Sequence, residues 1–184
     1  TLKAFLDYSK GASVAPASIF VHLNSISKEE GNYVNPPFDV EWAATPCAIF
    51  SYLVHIIRDF QKDQLNNLSY FADDLIAQCN LSRKKLIEFA WGKPVDDKFR
   101  RLIGLYYKLA DEYRIKTYDV IKEIRPFLEP RYQLSLEIIF NLYLMVFERI
   151  DVAKGTFTTE ELNPTPEETK SRVHSTIMEF SENF

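Results

Sequence analysis

Residues 52–71 read YLVHIIRDFQKDQLNNLSYF, and this stretch decides the fold. Apolar side chains recur in and just before it at spacings of three and four residues, which predicts an amphipathic helix. The face predicted to be buried carries Ile49, Leu53, Ile56, Ile57 and Phe60. On a 3.6-residue period, a neighbouring polar stripe then carries Tyr52, His55, Asp59, Asp63 and Asn66.

Asp59 and Asp63 lie one helical turn apart on that stripe. Two like charges at this spacing cost about 0.2–0.5 kcal/mol on an exposed helix, and more where water is excluded. Arg58 and Lys62 are expected further round the helix, not aimed straight at the acids. Hard oxygen donors one turn apart suit a Mg²⁺ ion that keeps waters and takes phosphate oxygens. The alternative is an ordinary ion pair between Asp59 and Lys62.

Length and composition predict one helical domain over residues 1–184. Apolar residues make up 46% of the chain and only five glycines occur, which favours long helices over sheets. The net charge of −4 argues against a nucleic-acid partner, because such proteins carry a basic face. Cys47 and Cys79 are isolated thiols, which predicts neither a disulfide framework nor a zinc site and favours a reducing cytoplasm.

Two apolar runs are predicted to be buried helices. Residues 42–57 contain no Asp, Glu, Lys or Arg but fall short of a bilayer span, and residues 132–147 contain Glu137 and Asn141. No basic amphipathic anchor accompanies them. An apolar ligand is nevertheless compatible with peripheral membrane contact.

Helix start and stop signals divide the rest of the chain. Ser27–Phe38 is predicted to be a polar connector, and no strand alternation of useful length occurs. The remaining helices are predicted at Thr1–Asn24 with a bend at Pro16, from the Asp39 cap onward, and at Ala72–Gln78, Arg83–Trp91, Val95–Arg114, Tyr118–Ile124, Leu128–Ile150 and from Thr165 to about Phe180. The sequence therefore predicts an all-α bundle.

Other chemistries find little support. The three histidines, at positions 22, 55 and 174, lack zinc-ligand spacing, and no glycine-rich loop follows a strand. Cys47 lies within the uncharged helix and is interpreted as an inert core thiol.

The motif Arg58-Asp59-x-x-x-Asp63, followed by Tyr70-Phe71, resembles the second aspartate-rich motif of the squalene/phytoene synthase family, the head-to-head isoprenoid synthases. Tyr8 with the small residues 11–17 resembles the family's cavity-lining segment, and Tyr143 with residues 147–151 resembles its last helix. The resemblance covers residues 8–151. The alternative interpretation of the Tyr8 segment is close helix packing. The alternative interpretation of the Tyr143 segment is a core tyrosine.

The resemblance implies a helical bundle of the isoprenoid-synthase type around an apolar cavity that the acid pair faces. It implies Mg²⁺-dependent condensation of prenyl diphosphates by a cytoplasmic or membrane-associated prenyltransferase of isoprenoid biosynthesis. NADPH use is compatible with the family but not indicated by the sequence, which also leaves the oligomeric state open. The implied roles are Mg²⁺ binding by Asp59 and Asp63, phosphate contact by Arg58, steering of the ionised diphosphate by Tyr8 and Tyr143, and substrate contact by Tyr52, His55 and Tyr70.

The sequence also departs from the family pattern. No first aspartate-rich motif precedes residue 55, so the N-terminal part of the fold is expected to be incomplete. Tyr52 and His55 stand where the family commonly has glutamine and asparagine, and Leu68-Ser69 replace the basic residue that often precedes the Tyr70 position. These departures favour the alternative of a non-catalytic helical scaffold or assembly factor derived from the same family.

Overall fold

Helix α3 (Val40–Arg58) forms the centre of the fold in the computed structural model, which describes residues 1–182. The Asp39 carboxylate caps its start by accepting hydrogen bonds from the amides of Glu41 (2.8 Å) and Trp42 (3.0 Å). The face predicted to be buried is buried: Leu53 and Ile57 have no exposed surface, and Phe60 has almost none. Helix α3 packs mainly against α7 (Asp97–Ile124), α2 (Ala15–Ser25) and α8 (Pro130–Phe147).

The other elements complete an all-α bundle, as predicted. They are α1 (Leu2–Ser9), α4 (Phe60–Leu65), α5 (Asp73–Gln78), α6 (Arg83–Ala90), α9 (Thr159–Leu162) and α10 (Pro166–Glu182), with a π-helical turn at Lys10–Val14, a 3₁₀ turn at Arg125–Phe127 and strands β1 (Ser27–Glu29) and β2 (Asn32–Val34). Helix α10 packs on α8, and α6 packs on α4. Residues 183 and 184, the last two of the predicted domain, lie outside the described part.

The N-terminal segment stays helical through Pro16 because a π turn precedes the proline. Pro16 has no N–H to give to the carbonyl of Ala12, and the amide of Ala15 instead donates to the carbonyl of Lys10, five residues back. At this point the Ser13 hydroxyl donates to the Ala48 carbonyl of α3 (2.8 Å). The small residues therefore do provide close helix packing.

Two predictions about secondary structure were wrong. The connector contains an exposed antiparallel hairpin, in which Lys28 pairs with Tyr33. Its turn residues Glu30 and Gly31 both have positive φ, so turn chemistry forms the hairpin without an alternating pattern. The helices predicted at 95–114 and 118–124 are one helix, α7, because buried Thr117 continues its core face.

Helix α3 is also the one candidate for a membrane span by length and composition among the described residues. Residues 42–57 alone were expected to be too short to span a bilayer. The whole helix, at 19 residues, is long enough. Within its most apolar window 56% of the residues are buried inside the protein, which is the pattern of a core helix.

Tyr106 is expected to hold the loop before α5 against α7. It is fully buried, and its hydroxyl accepts a hydrogen bond from the Ala72 amide (2.8 Å), so Tyr106→Phe leaves a buried N–H without an acceptor. We expect a loss of about 1–3 kcal/mol in the free energy of unfolding, measured by urea denaturation. The matched control is Tyr107→Phe, which removes a half-buried hydroxyl and should change stability by less than about 0.5 kcal/mol. Equal effects of the two substitutions would contradict this account.

Candidate functional site

The two acids lie where α3 bends into α4. Asp59 leaves the helical conformation, with φ −91° and ψ 5°, and separates the two helices. The backbone ladder nevertheless crosses the bend, because the Asp59 amide donates to the His55 carbonyl (2.9 Å) and the Asp63 amide donates to the Asp59 carbonyl (2.8 Å). The one-turn spacing of the two acids is therefore kept.

Asp59 is held by two cationic or proton-donating neighbours. The Arg58 guanidinium donates from Nε to Oδ1 (2.7 Å) and from Nη2 to Oδ2 (3.1 Å), while His55 Nε2 lies 2.6 Å from Oδ2. The Asp59 side chain is only 15% exposed. The prediction that Arg58 points away from the acids was wrong, since its long side chain folds back onto its neighbour. The alternative pairing of Asp59 with Lys62 does not occur either.

The two carboxylates differ in electrostatic environment. Burial raises the pKa of Asp59, but the hydrogen bonds and charge of Arg58, together with His55, outweigh it and bring the pKa below its usual range. For Asp63, burial and then the charge of Asp59 raise the pKa. Among residues 1–182 the Asp63 carboxylate has neither a hydrogen-bond partner nor an ion-pair partner. Asp63 therefore carries a half-buried charge that electrostatic interactions with His55, Lys62 and Arg58 offset only in part.

Three tyrosines lie on the Asp63 side of the site. The Tyr52 ring stacks on Phe5 (5.3 Å between centroids) and is tilted against Tyr8 (6.5 Å). Burial raises the pKa of Tyr52 to about 12, with smaller contributions from Tyr8, Tyr70 and Asp63. The hydroxyl of Tyr52 therefore stays protonated near neutral pH and can donate a hydrogen bond.

Tyr143 lies on the other side and lines two separate spaces. It lines a groove of about 280 Å³ together with Arg58. It also lines an apolar cavity of about 220 Å³ that lies between α2, α3, α7 and α8 and is partly open to solvent. The cavity wall is formed by Ser13, Ala17, Phe20, Val21, Ala43, Ala44, Cys47, Ala48, Ser51, Thr117, Ile121, Ile124, Leu136, Ile139 and Tyr143.

Neither acid is among the described residues that line this cavity. The bundle has an apolar hollow, but Asp59 and Asp63 lie beyond its Tyr143 end, not inside it. This corrects the expectation that the acids face the hollow. The reason is position along α3, because Ser51, on the cavity wall, lies two turns before Asp59.

The eight residues singled out from the sequence are linked by contacts or by electrostatic coupling. Tyr52 is coupled to Tyr8, Tyr70 and Asp63, and Asp63 is coupled to Asp59. Asp59 pairs with His55 and Arg58, and Arg58 is coupled to Tyr143. Sequence reasoning missed the cavity-lining role of Cys47 and Ser51. The signal that could have found it is the run of small residues on α3, which matches the small residues 11–17 on the facing helix.

Cys47 fits the prediction of an inert thiol. Burial raises its pKa to about 11, and its Sγ lies 3.9 Å from the Ser51 hydroxyl. A thiol with so high a pKa contributes almost no thiolate at neutral pH.

The donor set fits Mg²⁺ of the kind that binds through one or two carboxylates and completes its shell with water and phosphate oxygens. Asp63 supplies an unpartnered carboxylate, and Asp59 supplies a second one a turn away. Within residues 1–182 no group of three or more His, Cys, Asp or Glu side chains is arranged to hold a metal. A cation at this position would therefore need further oxygen ligands from water or from a bound ligand.

The chain matches no protein-family model and no curated protein sequence.

Substitution of either acid by asparagine is expected to change stability in opposite directions at pH 7. Asp59→Asn removes the carboxylate that Arg58 and His55 share and should cost about 1–3 kcal/mol of unfolding free energy. Asp63→Asn removes a repelled charge and should stabilise the protein by up to about 0.5 kcal/mol. Urea denaturation measures both, with exposed Asp119→Asn as the neutral control. A destabilising Asp63→Asn would contradict the conclusion that the net effect of the surroundings on the Asp63 charge is unfavourable.

The stability advantage of Asp63→Asn should also depend on pH. Because the folded pKa of Asp63 lies above the ordinary value of 3.8, wild-type stability falls as the pH rises from 3.8 through that folded pKa. The advantage of the variant should therefore be complete at neutral pH and disappear toward pH 3.8. Asp59 has a lowered pKa, so its stabilisation is present above 3.8 and is lost as the pH falls through its folded pKa. Unfolding curves at a series of pH values test both signs.

Proposed function

We propose that this chain binds prenyl diphosphates and takes part in Mg²⁺-dependent head-to-head condensation of the squalene/phytoene synthase type. One observation carries the proposal: Tyr143 is a shared wall of the apolar cavity and of the groove that contains Arg58. A ligand with a hydrocarbon tail and an anionic head needs an apolar space that ends at cationic and metal-binding groups. In this proposal the cavity would take the tail, and the head would lie past Tyr143 at Arg58, whose guanidinium pairs with Asp59.

The cavity suits a hydrocarbon. Its wall is mostly alkyl and aromatic, and two of its hydroxyl groups are satisfied within the protein: the Ser13 hydroxyl donates to the Ala48 carbonyl, and the Thr117 hydroxyl donates to the Tyr113 carbonyl (2.7 Å). A tail that enters meets no unsatisfied donor or acceptor at either residue. Transfer of its surface from water would contribute roughly 25 cal/mol per Å² to binding.

The diphosphate would bind at the bend between α3 and α4. Arg58 offers guanidinium donors that match phosphate oxygens, and His55, whose side chain is 45% exposed, can reach a ligand. Asp59 and Asp63 would hold Mg²⁺, which when bound neutralises the charge that collects on a departing diphosphate. Binding of the cation would also offset the burial and the Asp59 charge that together raise the pKa of Asp63.

The tyrosines would orient the head group and shield the reacting carbon. Tyr52 keeps its proton and can donate to a diphosphate oxygen, with Tyr8 and Tyr70 beside it. Tyr143, at the junction of the two spaces, presents an aromatic ring where the allylic carbon would lie, and such a face attracts a cation.

A second candidate function is a non-catalytic helical scaffold from the same family. The observation in its favour is that the Asp59 charge is already paired with the Arg58 guanidinium, with His55 Nε2 2.6 Å from its Oδ2, as in a structural ion pair. In such a scaffold the acids would bind no ligand, and neither Mg²⁺ nor diphosphate would affect the protein.

Calorimetry with farnesyl diphosphate and Mg²⁺ separates the two functions. We expect the wild-type protein to bind only when Mg²⁺ is present, and Asp63→Asn to weaken binding at least tenfold, or about 1.4 kcal/mol. Asp119→Asn is the matched control, because Asp119 is an exposed acid on α7. Absence of Mg²⁺-dependent binding by the wild-type protein would exclude the prenyl-diphosphate proposal and favour the scaffold.

Filling the cavity tests the binding of the tail separately from that of the head group. Ala44 is buried and lines the cavity, so Ala44→Leu should reduce affinity for farnesyl diphosphate while leaving affinity for inorganic pyrophosphate unchanged. Circular dichroism checks that overpacking, which typically costs about 1–3 kcal/mol, has not unfolded the variant. Ala77→Leu, at an exposed position of α5, is the control. Equal loss of affinity for both ligands would show that the cavity is not the tail site.

A further inference from the structure

Helix α4 carries Asp63, but this helix is only six residues long and is separated from α3 by the bend at Asp59. So short a helix has little stability of its own, and its orientation depends on contacts with other elements. Asp63 is moreover repelled by Asp59, which favours rotation of α4 away from the site. The backbone hydrogen bonds that cross the bend tie α4 to α3, and contacts with other elements must hold it against this repulsion.

Gln61 supplies two such contacts. Its Nε2 donates to the Ala90 carbonyl at the end of α6 (3.2 Å), and its Oε1 accepts from the Thr159 amide at the start of α9 (2.8 Å). At 100° per residue, Gln61 and Asp63 lie about 200° apart around the helix axis. Gln61 thus attaches the back of α4 to two separate elements while Asp63 faces the site.

The loop that leads into α9 contains a residue in an unfavourable backbone conformation. Buried Phe157, two residues before Thr159, has φ +58°, a left-handed conformation that is unfavourable for an aromatic residue. The Glu161 carboxylate holds it there by accepting from the Phe157 amide (2.6 Å), and Arg100 donates to the Gly155 carbonyl (2.9 Å). A strained conformation persists only where its surroundings over-determine it.

The same loop also reaches the first residue of α4 through the core. The Phe157 ring packs edge-on against Phe99 (5.6 Å), and Phe99 packs against Phe60 (4.7 Å). The loop therefore supports α4 both by this aromatic row and by the Thr159–Gln61 hydrogen bond.

We propose that Gln61 is a positioning residue: by joining the back of α4 to Ala90 and Thr159, it sets the rotation of α4 and so the placement of the Asp63 carboxylate beside Asp59. The importance of this placement for ligand binding rests on the proposed function. The placement itself is a property of the ligand-free protein and can be tested without any ligand.

The first measurement is ligand-free. In protein labelled with ¹³C-aspartate, Gln61→Met removes both hydrogen bonds at similar side-chain length and should shift the Asp63 carboxyl signal, which Asp63→Asn assigns. Gln61→Glu keeps an acceptor for Thr159 but loses the donor to Ala90, and should shift the signal less. Gln78→Met, at an exposed position of α5, should leave it in place. An unmoved Asp63 signal in folded Gln61→Met, with only the melting temperature lowered, would overturn the proposal.

The second measurement is a double-mutant cycle with Mg²⁺ and inorganic pyrophosphate. Gln61→Met should weaken Mg²⁺-dependent binding about tenfold in the wild-type background and have no further effect in the Asp63→Asn background. If the losses of affinity caused by Gln61→Met and Asp63→Asn add, Gln61 does not act through Asp63 and the proposal is overturned. If the wild-type protein binds no pyrophosphate, the proposed function fails while the carboxyl signal still decides the role of Gln61.

Discussion

Burial of one face of α3 is the constraint on which the rest of the structure depends. Phe50, Leu53, Val54 and Ile57 have no exposed surface, and each contributes about 1.5–3 kcal/mol through the apolar area it removes from water. A helix held so firmly on one side cannot roll. Its polar side chains must therefore emerge along one narrow stripe, and the position of that stripe fixes where any chemistry can occur.

Features that depend on local physics could be predicted from the sequence. The period of α3 identified its buried face, and Asp39 was identified as a cap. The last helix starts at Thr165 as predicted, where Thr165 and Glu168 form a reciprocal capping pair. The eight candidate site residues also lie in one coupled neighbourhood. Two features could not be predicted. The contact of Arg58 with Asp59 depends on how far a long side chain reaches, and the location of the cavity two turns before the acids depends on long-range packing.

The two acids illustrate why a motif underdetermines a site. In the sequence Asp59 and Asp63 are equivalent members of one pattern. In the fold Asp59 sits at the bend, where a guanidinium and an imidazole share its oxygens, whereas Asp63 has lost hydration without gaining a partner. A charge left in that state is unfavourable for stability, and proteins commonly retain such groups where function requires them.

Retention of that charge also explains why distant residues matter to the site. If α4 could turn freely, repulsion between the acids would move Asp63 toward water and remove the feature that makes the pair suitable for a cation. The contacts that oppose this movement come from residues 90 and 159, far apart in the chain and brought together only by the fold. The strained Phe157 lies beside the same contacts. The packing of Phe157, Phe99 and Phe60 in the core therefore offsets both the backbone strain at Phe157 and the repulsion between the two acids.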